Sequence, residues 1–119
     1  VSGEAERARA DEERAKEALA AIRGRYLPRA LAMLDGIEEL ASSLLAGDPD
    51  PGRREQAYLD AHKLSGSMGT FGLPEGSRLA GRLEAALEPG RLLDADRGRE
   101  IADLAARLRR ELRDAGSLE

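Results

Sequence analysis

Apolar side chains recur every three or four residues in four separate stretches of this chain, and glycine or proline punctuates the gaps between them. The first stretch carries Leu27, Ala30, Leu31, Leu34, Ile37, Ala41, Leu44 and Leu45. The second carries Ala57, Ala61, Leu64, Met68 and Phe71, the third Leu79, Ala80, Leu83, Ala86 and Leu87. The fourth carries Ile101, Leu104, Ala105, Leu108 and Leu112. This spacing lines one face of an α-helix. Nowhere does a run rich in Val, Ile and Thr alternate with period two, so a sheet is not expected. Aromatic residues make up only 3% of the chain and Trp is absent, which leaves Leu and Ala to build the core. Those residues favour helices. Four one-sided helices with short connections imply an all-α domain, an antiparallel four-helix bundle. At 119 residues there is no room for a second sizeable core.

The punctuation predicts five helical segments. Residues 4–23 are rich in Ala, Glu and Arg, with almost no large apolar side chain before Leu19 and Ile22. We therefore expect an additional N-terminal helix: a charged, solvated extension over residues 1–18, or a connection from an upstream module. A role in dimerisation is disfavoured, because so few large apolar residues make a weak coiled coil. The bundle then occupies residues 19–115. Its helices are expected at 27–46, with Pro28 in the first turn, at 53–71 and 74–87, and at 94–115 with Asp94 as N-cap. The run Gly47-Asp48-Pro49-Asp50-Pro51-Gly52 and the pair Pro89-Gly90 read as turns, and Gly72 as a helix stop. Residues 116–119 read as a tail, with Leu118-Glu119 suggesting a vector remnant, and Val1 in place of Met suggesting an excised domain. There is no internal repeat.

Charge and composition exclude several classes. The formal net charge is −4, and no basic patch with interleaved aromatics appears, which argues against nucleic acid as the partner. No apolar run approaches the ~18 residues of a membrane span, and no signal peptide is visible. With no cysteine there is neither a disulfide nor a thiolate metal site, which is compatible with a cytoplasmic location. A lone histidine with scattered carboxylates lacks the clustering of a metal site, and no nucleotide-binding motif is present. No cofactor is expected. No Ser/His/Asp triad can be assembled.

The second apolar stretch holds the one histidine of the chain, in Ala61-His62-Lys63-Leu64-Ser65-Gly66-Ser67-Met68-Gly69-Thr70-Phe71-Gly72. On a helix, Ser65, Gly66 and Gly69 lie on the same side as His62, because positions three, four and seven apart stack together. A glycine inside a helix costs about 1 kcal/mol relative to alanine. Two of them beside a single imidazole suggest access, a bare strip that lets another surface approach the ring. Ser65 and Ser67 read as small spacers.

This arrangement resembles the histidine-containing phosphotransfer (HPt) domain family. The resemblance rests on His62, Leu64 two positions later, then Gly66, Gly69 and Gly72. The run Gly69-Thr70-Phe71-Gly72 is similar to the phosphotransfer domains of bacterial chemotaxis kinases. One position departs: the family's usual Lys, three after the histidine, is Ser65 here. Lys63 lies about 100° round the helix from His62 and does not simply replace it. The resemblance implies a four-helix bundle with an accessory N-terminal helix. It also implies a bacterial two-component phosphorelay in which His62 accepts and donates a phosphoryl group. The implied partner is a receiver domain of a response regulator or hybrid kinase, or else a histidine-kinase catalytic domain. Magnesium would belong only to the partner receiver. In the chemotaxis-type domains a Glu twenty-two residues after the histidine orients the ring, and that position is Glu84.

The chemistry suits the residue. A neutral imidazole is a competent nucleophile near neutral pH, and phosphoryl transfer depends mostly on positioning and charge. A hydrogen bond from one ring nitrogen to Glu84 fixes the tautomer and favours attack by Nε2. Lys63, Arg78 and Arg82 are candidates for holding the phosphoryl group. Tyr58 and Leu59, one turn before His62, are candidates for docking. The alternative is a degenerate bundle of the same shape that serves only docking or oligomerisation, and exposure of His62 discriminates between the two.

Overall fold

The computed structural model describes residues 2–48 and 50–117. Four helices make the fold: α1 (Ser2–Leu45), α2 (Pro51–Thr70), α3 (Pro74–Ala86) and α4 (Ala95–Ser117). Each packs on two neighbours in a closed ring, α1 on α2 and α4, and α3 on α2 and α4. Cross-helix pairs fix the directions. Tyr26 meets Ser67 while Glu39 meets Arg53, and Ser65 meets Ser77 while His62 meets Glu84, so both neighbouring pairs run antiparallel. Arg109 with Asp35 and Glu38, and Gly98 against Leu44, give the same sense to α1 and α4. The core is almost entirely Leu and Ala, with Ile37, Ile101 and Met68.

The bundle agrees with the sequence reading, and the largest correction is at its N-terminal end. The two segments expected at 4–23 and 27–46 are a single helix, and Pro28 lies inside it. A proline there removes one hydrogen bond, the one that Gly24 O would have accepted, and disfavours the helix locally. Tertiary contacts in the turn before it hold the chain in line. Arg23 donates to Phe71 O from Nε at 3.0 Å and from a terminal nitrogen at 2.6 Å. The Tyr26 ring packs on Phe71 at a centroid distance of 4.6 Å. The N-terminal segment is thus an extension of α1. Fully buried side chains begin only at Ala30. At 1.5 Å per residue the 44 residues of α1 span about 66 Å, matching the longest dimension of 67 Å, so residues 2–22 project roughly 30 Å past the bundle.

The other boundaries follow local chemistry. Asp50 caps α2 by accepting from Gly52 N at 2.9 Å, so this helix starts at Pro51 inside the expected turn. Asp94 Oδ1 accepts from Arg97 N at 2.9 Å at the start of α4. Gly72 follows the end of α2 with φ +73°, a conformation that favours glycine. Of the expected tail, Gly116 and Ser117 belong to α4. Leu118 and Glu119 lie outside the described residues, as do Val1 and Pro49. No helix among the described residues is long and apolar enough to cross a membrane.

Candidate functional site

Helix α2 turns Ala57, Ala61, Leu64 and Met68 into the core and His62 outward. The His62 side chain is 70% exposed, yet its Nδ1 lies 2.8 Å from Oε2 of Glu84 on α3, which is only 26% exposed. The structure therefore brings these two residues together across the α2–α3 seam. With Nδ1 as the donor to the carboxylate, Nε2 is the free ring nitrogen.

Small residues make this contact possible. Gly76 is buried where a Cβ would fall 2.7 Å from Met68 Sδ, so α3 lies close on α2. The Ser77 hydroxyl donates to Ser65 O at 2.8 Å. One turn further along α3, a Cβ on Gly81 would sit 3.7 Å from Ser65 Oγ. Ser77, Gly81 and Glu84 therefore form one stripe facing α2, at positions four and three apart. Ser77 and Gly81 escaped the sequence reading. That same spacing of two small residues and an acid was the signal available to find them.

The remaining candidates separate. Gly66 is exposed, and a Cβ there would meet nothing within 4 Å. Gly69 is exposed beside Ser77. Ser65 is half-buried against α3, where it serves the seam. Lys63 is exposed on the outer face of α2, turned from His62 by one residue step of about 100°. Leu59 is 45% exposed and Tyr58 half-buried. Arg78 lies next to Ser77 and pairs with Glu75, its Nε donating at 2.9 Å. That ion pair holds the Glu75 carboxyl below its usual range and pushes the Arg78 guanidinium up. Arg82 is exposed, two residues before Glu84 on α3.

The far end of α2 is latched to α1. Ser67 Oγ donates to Lys63 O at 2.6 Å, so the Tyr26 hydroxyl, 2.7 Å from it, is the donor in their pair. Burial raises the Tyr26 pKa above its ordinary value, against a smaller lowering by the Ser67 hydrogen bond. With the Arg23 bonds to Phe71 O, this latch fixes the helix that carries His62. Neither Arg23 nor Tyr26 was singled out from the sequence, because both lie at the break expected between the segments 4–23 and 27–46. Among the described residues no group of three or more His, Asp or Glu side chains is placed to hold a metal ion.

Set against known proteins, the family described as Hpt domain matches residues 5–117. Comparison with curated proteins and with solved structures gives no match.

Proposed function

Since the chain belongs to the Hpt domain family, a phosphotransfer module of phosphorelays, we propose that it is a phosphoryl carrier of a bacterial, cytoplasmic two-component relay with His62 as the residue modified. The observation that carries this reading is the exposed His62 ring held through Nδ1 by Glu84, beside a strip of helix without side chains. The Nε2 lone pair attacks the phosphorus of an aspartyl phosphate on a receiver domain. The N–P bond forms as the P–O bond to the aspartate breaks, and the carboxylate leaves. The Nδ1 proton stays where it is. The ring gains positive charge directly opposite the Glu84 carboxylate, which stabilises the phosphorylated state electrostatically. The reverse attack by a receiver aspartate returns the group.

This division of labour explains a sparse site. The receiver brings Mg²⁺ and its acidic pocket, and the bundle brings an oriented nucleophile. Where the family's Lys is Ser65, the cations of α2 and α3 that stand near it in the chain are Lys63, Arg78 and Arg82. The test is transfer from a panel of phosphorylated receiver domains of the source organism. Acid-labile, base-stable label on the wild type and none on a folded His62→Gln variant is the expected result. Stable binding to a receiver without label would make the chain a docking module instead.

A further inference from the structure

The face around His62 is lopsided. Toward the C-terminal end of α2 it offers Gly66, Gly69 and Thr70, all exposed and none of them a large apolar side chain. Toward the N-terminal end it offers Leu59, then Tyr58, then a cleft of about 310 Å³ where Pro51, Tyr58, Leu87 and Pro89 meet the charged Arg54 and Glu55 beside Gly90. A second cleft of about 470 Å³ shares Pro51, Arg54 and Gly90 with the first and continues to Leu92 and Leu93. Leu92 is 73% exposed, well above the 45% of Leu59. The cleft floor is held in place: Arg54 donates from Nε to Leu87 O at 3.5 Å and from a terminal nitrogen to Glu88 O, tying α2 to the residues that follow α3.

The distances suit a partner centred on His62. At 1.5 Å per residue Tyr58 lies about 6 Å and Arg54 about 12 Å from His62 along α2. A small signalling interface buries roughly 600 Å² on each side, a disc about 14 Å in radius. Such a disc reaches the cleft if the partner leans toward the α3–α4 turn. A few buried anchors, Tyr and Arg prominent among them, supply most of an interface's affinity, and Tyr58 and Arg54 lie on that side of the face.

We propose that the α3–α4 turn and the Tyr58 cleft form a second epitope for the receiver domain. An apolar side chain from the receiver surface around its phosphorylatable aspartate fills the cleft, and Leu92 packs on its flank. The glycine strip then serves approach, and the cleft serves affinity and choice of partner. This inference rests on the phosphotransfer reading, and its test separates the two.

Wild-type protein is first treated with phosphoramidate, a small phosphoryl donor that needs no docking surface. Transfer from a phosphorylated receiver is then measured for wild type, Leu92→Asp and Leu19→Asp. Leu19 is 38% exposed on the N-terminal extension, away from the cleft, and so controls for loss of an exposed apolar side chain. The expected result is label from phosphoramidate on wild type, a KM for the receiver raised about tenfold by Leu92→Asp with the loss confined to KM, and no change with Leu19→Asp. Leu92→Asp indistinguishable from wild type, or both variants equally impaired, would overturn the epitope and leave the relay intact. No label on wild type from either donor would sink the relay reading and the epitope with it. A wild-type dimer in sedimentation that Leu92→Asp dissolves would assign the cleft to a second copy and overturn the proposal.

Discussion

The α1–α4 seam and the α2–α3 seam both close over glycine, and they differ in what lies at the edge. In the first, Gly98 stands against Leu44 and Ala41, and Arg109 bridges Asp35 and Glu38. Both acids push the Arg109 guanidinium up, and every charge in that cluster has its partner within the protein. In the second, Gly76, Ser77 and Gly81 bring α3 close, and the edge carries an imidazole with one nitrogen occupied and one free. Saturated pairing makes the first seam structural. Incomplete pairing at an exposed edge gives the second a chemical group that a partner can use.

The contrast can be broken by adding one methyl group to each seam. In Gly98→Ala the new Cβ would lie 2.9 Å from Leu44 Cβ and 3.2 Å from Ala41 O, both tied to backbone. The helices must separate, and the expected cost is about 1–3 kcal/mol in urea unfolding, with transfer by the folded protein unchanged. In Gly76→Ala the contact is Met68 Sδ at 2.7 Å, a side chain that can yield, though it is fully buried. Its expected cost is smaller, about 1 kcal/mol, but it comes with slowed transfer because Glu84 moves off His62. Equal losses of transfer in the two variants would erase the distinction between the seams.

Glu84→Ala sharpens the comparison at the edge itself. A charge-assisted hydrogen bond to a partly exposed ring is worth about 1.5 kcal/mol, so single-turnover transfer should slow about tenfold while His62 still accepts label. An unaltered rate would mean that something other than the carboxylate orients the ring.

The sequence made the core legible because Leu and Ala at helical spacing have one consistent solution. Ala61, Leu64, Met68, Leu79 and Leu83 all point inward as the periodicity requires. It made the pairing of His62 with Glu84 accessible only through a family resemblance, since twenty-two residues of separation carry no local signal. The continuity of α1 was not legible. Gly24 and Pro28 are local helix breakers, and what overrides them is Arg23 and Tyr26 binding residues 41 to 48 positions later.

The smallest expected effect concerns Gly66, and its sign is what matters. Gly66 and Gly76 are both helical, yet one faces outward into open space and the other inward onto Met68. Helix propensity alone makes Gly66→Ala stabilising by about 1 kcal/mol, because nothing opposes the new methyl. Gly76→Ala has the same propensity gain and should still lose stability, since overpacking outweighs it. A chain that forgoes the gain at Gly66 gives up stability for the bareness of its surface. Gly66→Leu should therefore raise the KM for the receiver several-fold, seen in transfer assays, in a protein that unfolds no earlier than wild type. If Gly66→Leu transferred normally, the bare strip would have no bearing on docking. The apolar surface around Tyr58 and Leu92 would then account for the approach of the partner by itself.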